Sequence, residues 1–125
     1  MNQQRTEEEA IELAKKVMFD KGLLDPMLWK FELSNRFKRR IGDCNRLTNV
    51  IRVGSRFARY ATTYHFEQVV LHEIAHALTD CGHTRKFKQV CKEIGCETDS
   101  WGVVFDICYV YNGKKYWERT KEDLR

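Results

Sequence analysis

Residues 71–83 read LHEIAHALTDCGH, and three of the chain's four histidines fall within them. His72 and His76 are separated by one helical turn, so their rings project from the same side of a helix and can meet one ion. Glu73 is their neighbour around the axis. At about 100° per residue, Leu71, Ile74, Ala75 and Leu78 form an apolar stripe centred on the opposite side. A histidine that merely fills a core belongs on that stripe, and these two avoid it. The pattern therefore predicts a metal-binding helix with its histidines directed away from the core.

Two imidazoles do not complete a site. Thr79 to Gly82 can end the helix and turn the chain back, bringing His83 to the same ion; Glu93 and Glu97, one helix farther on, are the alternatives for that third position. Three protein ligands leave a zinc ion one open position, which marks a catalytic site and not a closed structural one. Water bound there acquires a pKa near about 7, and Glu73 is placed to accept its proton as general base. Peptide-bond hydrolysis is the reaction these parts suit best. His65 is seven residues before His72, about 10 Å along the axis, too far to share the ion.

The surrounding chain predicts the frame. Upstream, Thr6 followed by Glu9 has capping-box spacing, and Ala10, Ile11, Ala14, Val17 and Met18 recur at helical intervals, with Gly22 as the stop. Trp29, Phe31 and Leu33 alternate as a half-buried strand does, RRIGDC reads as a second strand, NRLT as a turn, and NVIRVGS as a third strand. Downstream, Thr84 caps a helix that buries Phe87, Val90, Cys91 and Ile94 and stops at Gly95. VVFDICYVY, Asn112–Gly113 and KKYWER read as a terminal hairpin. The fold class is α+β: an N-terminal helix, a three-stranded sheet, the HExxH helix, a following helix and a C-terminal hairpin.

Composition sets the remaining bounds. A chain of 125 residues with 42% hydrophobic and 32% charged residues suits one folded domain over residues 1–125. No apolar run reaches the roughly 20 residues of a membrane span, and MNQQRTEEEA lacks the apolar core of a secretion signal, so a cytoplasmic setting without membrane partners is expected. Five cysteines without a CxxC pair read as small buried thiols. Residues 36–59 hold eight basic side chains against one acid. Within them, Arg36, Lys38, Arg39 and Arg40 form a candidate contact for a polyanion such as DNA.

With these residues in place, the chain resembles the SprT-like zinc metallopeptidases, the family that includes the bacterial SprT proteins and the DNA-dependent protease Spartan. HEIAH followed by HTRKFK matches the family's helix, short loop and next helix, and WKFELSNRFKRRIGDCNRLTNVIRVGS matches its upstream strands. The resemblance implies a zincin-like fold, Zn2+ held by His72, His76 and His83, Glu73 as catalytic carboxylate, and protein substrates associated with DNA. Thr84 stands where the family usually has glycine. Many members also carry a C-terminal zinc ribbon of paired cysteines; here only Cys108 lies near the hairpin, so a second zinc is not expected.

Two further expectations follow. NVIRVGS, if it borders the metal at a sheet edge, offers main-chain pairing to an extended substrate. A competing function class is a nucleic-acid-binding or adaptor protein in which zinc only staples two helices, with Trp101, Tyr109, Tyr111, Tyr116 and Trp117 as stacking surfaces beside Lys114 and Lys115.

Overall fold

The computed structural model describes residues 5–21, 24–25, 27–36, 41–79, 82 and 84–97, and the backbone of 109–111 and 114–116. Helix α1 spans Glu7–Asp20. Thr6 starts it: its hydroxyl accepts from the Glu9 N–H at 3.0 Å, and the Glu9 carboxylate accepts from the Thr6 N–H at 2.8 Å. Glu7, Glu8 and Glu9 set negative charge against the positive end of the helix dipole. Ala10, Ala14, Val17 and Met18 face inward. Gly22, the expected stop, lies outside the described residues.

Three strands follow, β1 (Lys30–Ser34), β2 (Gly42–Asn45) and β3 (Val50–Gly54). Their spatial order is β1-β3-β2, with β3 parallel to β1 and antiparallel to β2. The turn between β2 and β3 is built by Asn45, whose side-chain oxygen accepts from the N–H groups of Leu47 and Thr48. Asn49 completes it in the left-handed region at φ 58°, a conformation its short polar side chain tolerates. Because β3 is hydrogen-bonded on both sides, it has no open edge. The expectation that NVIRVGS receives an extended substrate is therefore corrected: β2 occupies that border of the sheet.

Three helices complete the frame, α2 (Ser55–Tyr60), α3 (Thr63–Thr79) and α4 (Arg85–Ile94). The inner face of the sheet, Phe31, Ile51 and Val53, closes a core with Phe66, Val69, Val70 and Ile74 of α3 and Ala10 and Ala14 of α1. Phe31 and Phe66 meet edge to face, with centroids 6.4 Å apart. Arg5 fixes the start of α3: it donates to the Ala58 carbonyl and to Thr63 Oγ1, and stacks over the Phe66 ring at 5.2 Å. The terminal hairpin is present as β4 (Tyr109–Tyr111) and β5 (Lys114–Tyr116), with Tyr109 opposite Tyr116. Among the described residues no helix is long and apolar enough to cross a membrane.

Candidate metal centre

Helix α3 buries His72 and Glu73 and half-buries His76. The two imidazoles lie 5.0 Å apart between centroids with their planes at 75°. His72 is 1% exposed and Glu73 is fully buried; the two Glu73 carboxylate oxygens and His76 Nε2 are closed to solvent. The histidine side of the helix is thus not a solvated face. Expecting it to point away from the core is correct only for the sheet-side core, because α4 packs over it from outside. Phe87 of α4 covers both rings, at 5.1 Å from His72 and 4.5 Å from His76. At the far end of the predicted stripe, Leu78 is exposed.

The position of Phe87 follows from local capping. The Thr84 hydroxyl accepts from the Phe87 N–H at 3.3 Å, starting α4 where the sequence predicts. At the other end, Gly95 closes α4 with φ 85°, a conformation glycine adopts without a Cβ penalty. Gln68, nearly buried on α3, then binds that end: its amide donates to the Gly95 carbonyl and its oxygen accepts from the Glu97 N–H at 2.6 Å. Sequence reasoning missed this clamp, although a lone glutamine beside the apolar run VVL was a usable signal.

Glu73 faces β2. A Cβ placed on Gly42 would stand 3.3 Å from its Oε2. Two residues on, burial chiefly, and then the nearby Glu73 charge, push the Cys44 thiol up to about 12. Cys91 and Cys96 are buried thiols outside any disulfide, as expected, while Cys44 is half-buried; Cys81 and Cys108 lie outside the described residues.

The remaining candidates sort as follows. His83 lies outside the described residues, as do Lys38, Arg39 and Arg40. Glu93 and Glu97 do not join the histidines: Glu93 accepts from Gln89 on the exposed side of α4, and Glu97 accepts from the Tyr64 hydroxyl. Among the described residues no group of three His, Cys, Asp or Glu side chains forms a metal cage. His65 serves the start of α3, its Nδ1 2.7 Å from Thr62 Oγ1, with burial lowering its pKa. Arg36 is exposed. Arg52 forms a two-point ion pair with Asp43 across β3 and β2, at 3.0 and 2.7 Å, so the basic stretch is not uniformly positive.

The donor set fits a zinc ion. Two imidazoles one turn apart supply nitrogen ligands of the type zinc favours. A carboxylate as deeply buried as Glu73 calls for a compensating positive charge or a proton nearby, and a dication on the adjacent imidazoles supplies the former.

A mixed three-stranded sheet backed by a helix with HExxH spacing, and a second helix covering its histidines, make up an α+β domain. The chain belongs to the SprT-like family, which it matches over residues 6–108. In fold it is similar to the crystal structure of the metallopeptidase zymogen of Pyrococcus abyssi abylysin, with a TM-score of 0.54 at 18% identity over 71% of this chain and 79% of that one. No curated protein matches it.

Proposed function

We propose that this protein is a zinc-dependent metallopeptidase in which His72, His76 and His83 hold the ion and Glu73 is the general base. The observation that carries the reading is the burial of Glu73, which follows His72 on α3 and faces the bordering strand β2. When bound, zinc lowers the pKa of a water molecule and offsets negative charge developing on the attacked carbonyl. Glu73 accepts a proton at a carboxylate oxygen and returns it to the nitrogen of the departing amine, so no net proton is consumed by the side chain. Phe87 keeps water away from one side of the histidine rings and limits their rotation.

Strand β2 gives a substrate a place to lie. Among the described residues its outer side pairs with no other strand, so an extended polypeptide can hydrogen-bond along it by main chain alone. Such pairing reads little side-chain identity, which suits unfolded protein substrates. The natural substrates in this reading are proteins associated with DNA, with Arg36, Lys38, Arg39 and Arg40 contacting phosphates.

Glu73→Gln tests the assignment. Cleavage of an unfolded protein is expected to fall by at least about 100-fold, with zinc content unchanged. Equal cleavage by the variant removes Glu73 from the chemistry. A zinc-bound wild-type chain that cleaves nothing favours the stapled adaptor instead.

A further inference from the structure

Resting on the peptidase reading, we propose that Gly42 is a positioning residue for Glu73: its missing side chain holds open the space that fixes the carboxylate. Gly42 is buried, and its backbone is not in the left-handed region, where among the described glycines only Gly95 lies. Backbone freedom therefore does not explain a glycine here. Space does. A Cβ at this position would stand 3.1 Å from the Arg52 carbonyl oxygen, 3.2 Å from Val69 Cγ1 and 3.3 Å from Glu73 Oε2.

These three neighbours do not yield equally. The Arg52 oxygen belongs to the backbone of the central strand, and β2 is held against that strand by the Gly42–Val53 pairing and by the Gly54 N–H donating to the Ile41 carbonyl at 2.7 Å. Val69 is β-branched within a helix, where one rotamer is strongly favoured. Glu73 ends in a carboxylate on three rotatable bonds, so it moves at least cost, and the closer, stiffer contacts with Arg52 and Val69 press an added methyl toward it. Alanine at position 42 displaces it by a few tenths of an ångström from the place where it exchanges protons. The imidazoles, on the Phe87 side, are left where they are.

The experiment compares zinc-loaded full chains: wild type, G42A, V69A, E73A, and the G42A/V69A and G42A/E73A doubles. For G42A, kcat on an unfolded protein substrate is expected to drop about tenfold, with KM and zinc affinity within about twofold of wild type. V69A is expected not to restore kcat. The fall in Tm caused by G42A is expected to be smaller in the E73A background, where the crowded oxygen is gone. An unchanged kcat, a kcat recovered through V69A, equal Tm losses in both backgrounds, or failure of G42A to fold in every background overturns the proposal. If wild type cleaves nothing, the peptidase reading fails by itself, and the Tm comparison still decides whether Gly42 and Glu73 are coupled.

Discussion

Phe87 lies against His76 with ring centroids 4.5 Å apart and planes tilted by 34°, and the same ring covers His72 at 5.1 Å. One fully buried aromatic side chain thus contributes to the core and restricts both candidate ligands. Phe87→Ala is expected to lower stability by about 3 to 5 kcal/mol, the cost of opening an aromatic-sized cavity. It is also expected to weaken zinc binding by about tenfold, because the imidazoles regain rotational freedom. Chemical unfolding and competition with a chromophoric chelator measure the two effects. Full zinc affinity in the variant would separate the packing from the site.

Cys44 provides a pH-dependent signature. Its folded-state pKa of about 12 stands above the ordinary value of 9.0 because burial, and then the Glu73 charge, disfavour the thiolate. The folded chain therefore holds the proton more tightly than the unfolded one. The associated stability is fully present below pH 9.0 and is lost as pH rises from there toward about 12. Cys44→Ala is expected to flatten that alkaline decline. At pH 8, labelling of the Cys44 peptide, followed by mass spectrometry, is expected to be on the order of 1000-fold slower in the folded chain than in urea, in proportion to the thiolate present. Rapid labelling of the folded chain contradicts this environment.

Much of the frame was legible because local signals agreed. Thr6 with Glu9, Thr84 with Gly95, and the Asn45 turn each begin or end an element where the sequence predicts. What the sequence did not reveal was pairing across distance. Nothing in VIRVG states that this strand sits between the other two, because an apolar strand with partners on both sides reads much like one at a border. Burial of the histidine side was hidden for a related reason: the stripe of α3 identifies one packed side, and the second depends on where α4 lands. Helix α2, six residues long, is too short for periodicity to register.

The basic stretch makes a separate prediction about nucleic acid. If Arg36, Lys38, Arg39 and Arg40 contact phosphates, DNA affinity falls steeply with salt, and replacing all four by alanine reduces the slope of log affinity against log salt by about 3 to 4. Arg52 is expected to contribute little, since Asp43 already pairs with it. A slope unaltered by the fourfold variant would place any DNA contact elsewhere.

In the proposed site, three imidazoles of one chain hold one zinc ion. X-ray absorption at the zinc edge of the metal-loaded full chain tests it most directly, because it counts and types the ligands. Three imidazole nitrogens and one further light donor are expected, all at about 2.0 to 2.1 Å, with one nitrogen lost in each of His72→Ala, His76→Ala and His83→Ala. Sulfur neighbours at about 2.3 Å, or a spectrum that does not change when His83 is replaced, would contradict it.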